Sequence, residues 1–126
     1  MITLAATNHS LEVLLGATAS TQLPVVASVG ETDGVSETGY ERGVHYVVTN
    51  NTTAVAVVSA PASGETRDID FVSIYNPNTD AVAVTFRLNV GGTTYIQVKV
   101  TLLANETLTY SHAIGWRVLD ANGQTK

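Results

Sequence analysis

Between residues 80 and 103, apolar and polar positions alternate with the period of two that marks a β-strand with one buried face. Val82, Val84, Phe86 and Leu88 fall on one side, and Ala83, Thr85, Arg87 and Asn89 on the other. After Gly91-Gly92 the alternation resumes, with Ile96, Val98, Val100 and Leu102 set against Tyr95, Gln97, Lys99 and Thr101. The two runs read as a β-hairpin. Directly opposed residues of an antiparallel pair share a face, so a two-residue Gly91-Gly92 loop would set Phe86 against Gln97 and Val84 against Lys99. A three-residue loop, Val90-Gly91-Gly92 with Gly92 left-handed, instead pairs Phe86 with Ile96 and Val84 with Val98. That register is predicted, with Arg87 and Lys99 on the outer face.

Shorter runs fill the rest of the chain. Residues 10–15 and 23–29 are apolar segments around Gly16, read as a hairpin. Ser10 is a fitting helix cap for 11–15, but Gly16 would stop that helix before a second turn, so strand is preferred. Residues 44–49 and 53–59 read as another strand pair around Asn50-Asn51-Thr52, and 61–65 as a turn rich in proline, serine and glycine. Residues 67–75 place Ile69 and Phe71 on one side and Val72 and Ile74 on the other, the pattern of a central strand apolar on both faces. Asn76-Pro77-Asn78 turns the chain into the glycine hairpin, and strands at 108–110 and 116–119 finish it. Eight or nine short strands with a turn every 8 to 12 residues predict an all-β fold, an antiparallel β-sandwich or jelly-roll-like single domain over residues 1–126. Residues 1–8 are expected as an extended N-terminal arm. Residues 30–43, with four glycines, four acidic residues and no periodicity, are expected as a long exposed loop.

Composition narrows the function classes. Charged residues make up 13% of the chain, against about 25% in an ordinary globular protein, and β-branched residues abound. The net charge is −5, and the six basic residues, Arg42, Arg67, Arg87, Lys99, Arg117 and Lys126, are scattered. No patch can neutralise a row of phosphates, so nucleic acid is not an expected partner. No apolar run approaches the length of a membrane-spanning helix, and the first residues lack the basic and apolar regions of an export signal. A soluble chain without a membrane partner is the expectation. There is no cysteine, and therefore neither a disulfide nor a thiolate metal site, so stability must come from packing or assembly.

Candidate chemistry is sparse. His9, His45 and His112 are far apart and share no ligand spacing, so they read as surface or edge residues. Asp68 and Asp70 share a strand face, a geometry able to hold a hard cation, but two carboxylates without further oxygen ligands read as a solvated strand face. Glu31, Asp33, Glu37 and Glu41 do not match the spacing of a calcium loop and read as a flexible acidic arm. Ser10 beside His9 and Ser111 beside His112 point to opposite faces of their strands and cannot share a proton. No catalytic residue, cofactor or metal site is assigned. Tyr110 and Trp116 are the aromatic pair best suited to stack on a sugar, with core packing the stronger reading.

Residues 67–126, with SIYN ahead of the glycine hairpin, then ETLTY and GWRVLDANG, resemble the C-terminal half of small virion-associated proteins of tailed bacteriophages. The segment LEVLLGATASTQLPVVASVG at 11–30 is similar in kind, so the resemblance covers most of the chain outside 30–43. It implies a non-enzymatic β-sandwich made in the host cytoplasm and displayed in many copies on the outer surface of the head. A capsid decoration or cement protein fits this best: a homotrimer that bridges capsomers and has itself, the major capsid protein or other virion proteins as partners. The alternative it leaves is a neck or tail-associated adhesin that binds a host surface glycan. A hydrolase built on a sandwich is a third class, for which the chain offers no paired nucleophile and base. The expected assembly interface comprises Ile2 and Leu4, whose short uncharged segment is suited to adding to a neighbour's sheet edge, together with Tyr40, Arg42 and Tyr46.

Overall fold

A computed structural model describes residues 1–32 and 40–126. Among these residues ten strands form: β1 (Ile2–Leu4), β2 (His9–Leu15), β3 (Pro24–Thr32), β4 (Tyr40–Val48), β5 (Val55–Val58), β6 (Thr66–Tyr75), β7 (Val82–Val90), β8 (Thr93–Leu102), β9 (Thr107–Ser111) and β10 (Gly115–Leu119). One sheet runs β10-β9-β6-β3-β4 with β1 also paired to β6, and the other runs β5-β2-β7-β8. The fold is all-β, two antiparallel sheets around one core, as the alternation predicts.

The alternation creates that core directly. Leu11, Val13 and Leu15 of β2 and Val82, Val84 and Phe86 of β7 point inward from the four-stranded sheet. Val25, Ala27 and Val29 of β3 meet them from the six-stranded sheet, beside Ile69, Val72 and Ile74 of β6. Each such Val, Leu, Ile or Phe contributes about 1.5–3 kcal/mol of burial free energy, which is offset in large part by the entropy of ordering the chain.

Two bulges account for the departures from the predicted faces. The glycine turn takes the two-residue form, with Val90 opposite Thr93 and both Gly91 (φ 61°) and Gly92 (φ 94°) left-handed, as a primed hairpin turn requires. The register it starts would set Phe86 against Gln97, but an extra residue on β8 shifts the pairing between Arg87–Ile96 and Phe86–Val98. The predicted Phe86–Ile96 and Val84–Val98 pairs are therefore replaced by Phe86–Val98 and Val84–Val100, and Ile96 turns outward, 65% exposed. The bulge restores the match of apolar faces that a longer loop was expected to supply. At Gly91 the positive φ is the constraint, since an added Cβ would meet only the movable side-chain amide of Asn8, 3.0 Å away.

The second bulge sits at Asp70, where β3 pairs Ser28 with Phe71 but Val29 with Ile69. The extra residue lets Ile69, Val72 and Ile74 share the core face, while Phe71 lies on the outer one. The strand is central and carries apolar side chains on both faces, as predicted, but Ile69 lies with Val72 and Ile74 inside while Phe71 lies outside. Its far edge is shared by β1, opposite Arg67 to Ile69, and β9, opposite Phe71 to Tyr75.

Strand partners differ from the predicted hairpins. The strands over 10–15 and 23–29 lie in different sheets, as do those over 44–49 and 53–59, so neither pair is a hairpin. Alternation fixes which side of a strand is buried and is silent on which strand lies beside it. The N-terminal arm also differs: β1 pairs with β6 of its own chain, and Leu4 is buried in the core. The expected 30–43 loop is shortened from both ends, because β3 and β4 stay paired out to Thr32 and Tyr40. The remainder of that expectation, with Asp33 and Glu37, lies outside the described residues.

At one end of the sandwich two of the crossings between sheets, from β6 to β7 and from β8 to β9, lie side by side. Buried Asn76 joins the two crossings: its Nδ2 donates to the carbonyls of Asp80, Leu102 and Leu103 at 3.0–3.1 Å, and its Oδ1 accepts from Asn78 N–H. Asn78 in turn exchanges two hydrogen bonds with the backbone of Thr21.

Candidate interaction surface

The six-stranded sheet has a core face and an outer face, and the outer face is unusually apolar. The cause lies in β4, whose sequence places apolar residues on both sides. Val47 packs against the core, while Val44, Tyr46 and Val48 alternate with it and are 52%, 74% and 59% exposed. Strand register extends this stripe across the sheet. Val44 lies opposite Ser28, which lies opposite Phe71; Tyr46 lies opposite Val26; and Val48 lies opposite Pro24. Phe71 and Tyr75 of β6 are themselves exposed, and Tyr75 Oη donates to Asn105 Oδ1 at 2.7 Å. Pro24, Val26, Tyr46 and Val48 border a shallow hollow of about 410 Å³. An apolar face of this kind on a small domain is the candidate surface for association.

One edge of the stripe is charged. Arg42 of β4 forms an ion pair with Asp70 at the β6 bulge, and Asp68 accepts a hydrogen bond from Thr3 Oγ1 at 2.8 Å. Both aspartates are therefore engaged by side chains of the chain itself. Among the described residues no group of three or more His, Cys, Asp or Glu side chains could hold a metal ion.

The densest ionic cluster lies on the core side of the same sheet. Glu31 Oε1 is 3.2 Å from His45 Nε2 and 3.4 Å from Arg67 Nε, and Arg67 donates to the carbonyl and hydroxyl oxygens of Ser59. Ser59 Oγ is held by the guanidinium, and Glu31 by that guanidinium and the His45 ring, so the cluster ties β3, β4 and β6 to the segment after β5. His9 Nδ1 accepts a 3.4 Å contact from Ala5 N–H, and His112 N–H donates to the Asp70 carbonyl. The three histidines thus serve three separate local contacts. Arg87 pairs with Glu12 and Lys126 with Glu106, so among the described residues Arg42, Arg67, Arg87 and Lys126 face carboxylates.

The expected interface residues divide between the two faces. Tyr46 and Arg42 stand on the outer face of β4, with Arg42 61% exposed. Ile2 and Leu4 point to the core side through their pairing with Ile69 and Arg67, so Leu4 is unavailable to a neighbour and Ile2 only half-exposed. Tyr40 occupies the first position of β4, opposite Thr32, and its side chain lies outside the described residues. Val44, Val48, Phe71 and Tyr75 were not anticipated. For β4 the signal was present in the sequence, since an apolar residue at four of the positions 44–48 leaves no polar face to turn outward. Tyr110 belongs to the core and Trp116 packs, partly buried, against it: the Trp116 ring centroid lies 5.0 Å from those of both Phe86 and Tyr110. They form no exposed platform for a sugar.

Comparison of the chain with protein-family models, with curated proteins and with solved structures finds no match. Among the described residues no helix is long and apolar enough to cross a membrane.

Proposed function

We propose that this chain is a non-enzymatic structural protein of a tailed-phage virion, a capsid decoration protein that stabilises the head by bridging capsomers. The observation that carries the reading is the exposed apolar stripe of Val44, Tyr46 and Val48, continued by Phe71 and Tyr75. The resemblance of residues 11–30 and 67–126 to small virion-associated proteins supplies the setting. A rigid sandwich that presents a flat apolar face gains free energy by covering it, and a ligand that binds only the assembled shell stabilises that shell by mass action. The gain is about 2.7 kcal/mol per site at a hundredfold excess over the dissociation constant, and it is repeated at every copy.

The test is the disruption temperature of phage heads that lack this protein, measured with and without the purified chain. Wild type is expected to raise it. A Tyr46→Ser/Val48→Ser variant loses two exposed apolar anchors worth about 1.5–3 kcal/mol each, so its head affinity is expected to fall about a hundredfold or more. Its own melting temperature should hardly change, because both residues are exposed in the isolated domain. Failure of the wild type to bind heads, or equal binding by the variant, contradicts the proposal. Retention on host surface glycans in place of heads would point to the adhesin class instead.

A further inference from the structure

Among the described residues the outer edge of β4 is the least protected sheet edge, and we propose that it pairs antiparallel with β4 of a second copy about a two-fold axis at Val44. Sheet edges present unpaired amides and carbonyls, which proteins guard with bulges, lysine, proline, short strands or a covering segment. The other edges carry such guards. β8 has its bulge at Gln97 and carries Lys99; β5 has four residues and β1 three. β10 has five, and its open side is met by Thr125 opposite Leu119 and by Lys126 N–H on the Val118 carbonyl. β4 has nine residues, neither lysine nor proline, and an unbroken register with β3. Among the described residues no strand lies on its other side.

The ladder phase shows which groups that edge offers. Thr49 N–H donates to the Leu23 carbonyl at 3.1 Å, continuing the pairing in which Val48 faces Pro24. Hydrogen-bonded and non-hydrogen-bonded pairs alternate along an antiparallel ladder, so odd-numbered residues of β4 bond to β3. Arg42, Val44, Tyr46 and Val48 therefore direct their backbone groups to the open edge.

A second copy fits this edge in one register better than in any other. With Val44 opposite the second copy's Val44, the nine residues of both strands overlap fully, and every outward amide meets an outward carbonyl. Arg42 then lies opposite the second copy's Tyr46, a favourable cation and aromatic pair, and it does so twice by symmetry. Glu41 faces the second copy's Val47, so like charges are not opposed even though each chain carries a net charge of −5. A two-fold pairing departs from the trimer that the sequence resemblance implies, because an edge that pairs with itself closes at two. It also joins two apolar outer faces into one surface. The inference concerns the isolated protein and stands independently of the virion reading.

Sedimentation of the purified chain across a concentration series, with amide exchange measured at both ends of the series, tests the pairing. The expected mass is twice 13.2 kDa. The Val44, Tyr46 and Val48 amides should become protected as concentration rises, and the β8 edge should not. Val44→Pro removes an outward N–H that β3 does not use, so it should weaken dimerisation about tenfold or more while the monomer fold persists. Should that variant fail to fold, Val44→Lys places a charge at the axis, opposite its own copy, and should have the same effect. A wild-type monomer at the highest concentration, a trimer, or a dimer indifferent to both variants would overturn the proposal. Protection of the β4 edge seen only on phage heads would also overturn it, assigning the edge to another virion protein and leaving the decoration reading intact.

Discussion

Phe86→Ala is expected to lower the stability of the domain by about 3–5 kcal/mol, the range for truncating a fully buried aromatic residue. Phe86 has no exposed surface and is the largest of the fully buried side chains. It stands on β7 of the four-stranded sheet, while Trp116 and Tyr110 stand on β10 and β9 of the other, so the contact closes the sandwich between sheets. Alanine leaves a cavity lined by rigid strands that have little freedom to collapse. For a chain of this size the loss corresponds to a fall of about 10–20 °C in Tm. Trp116 fluorescence should shift to the red as water reaches the indole. A loss below about 1 kcal/mol would mean that the sheets do not close over this ring.

The second large effect is expected at Asn76→Ala. Asn76 is fully buried, and its amide binds three carbonyls while its carbonyl oxygen accepts from both nitrogens of Asn78. Its backbone takes part as well, donating to the Glu106 carbonyl and accepting from Asn105 N–H. Alanine keeps the backbone bonds but removes the partners of the buried Leu102 carbonyl and the buried Asn78 backbone N–H. Each such group costs about 1–3 kcal/mol, so a total of about 2–6 kcal/mol is expected by denaturant titration. Hydrogen exchange should quicken first in the 76–81 and 103–106 connections. If the turn refills with water and the loss stays under about 1 kcal/mol, Asn76 is not the clamp between the crossings.

These two residues mark the boundary of what could be read from the chain. Phe86 was legible because the alternation of Val82, Val84 and Phe86 is a statement about faces, and faces are what period-two patterning encodes. Asn76 was legible only as part of a turn. Its role depends on the carbonyls of Leu102 and Leu103, which lie 26 and 27 residues away. The bulges at Asp70 and Gln97 were not legible, because period-two patterning holds one phase along a strand and a single inserted residue reverses it. That is why Ile96 was expected inside and lies outside, and why Phe71 was grouped with Ile69. Strand partners failed for a different reason. Residues 16–23 look like a hairpin loop, yet they carry the chain from one sheet to the other, held by polar contacts from Ala19 and Gln22 to Asn51 and from Thr21 to Asn78.

The interaction surface was half visible. Tyr46 and Arg42 were placed at it, and the apolar residues at 44 and 48 could have been added, since a strand apolar on both faces at a sheet edge must expose one of them. Ile2 and Leu4 were placed there because a short uncharged segment suits pairing with a neighbour. The segment does pair as a strand, but the edge it uses belongs to its own β6.

The proposal that the outer face of the six-stranded sheet seats this protein on a phage head is tested most directly by imaging. Heads lacking the protein would be incubated with the purified chain and a density map obtained. Symmetry-ordered density is expected at the capsomer junctions, with Val44, Tyr46, Val48 and Phe71 turned toward the shell. Bare heads after saturation, or ordered copies that expose this face to solvent, would contradict it.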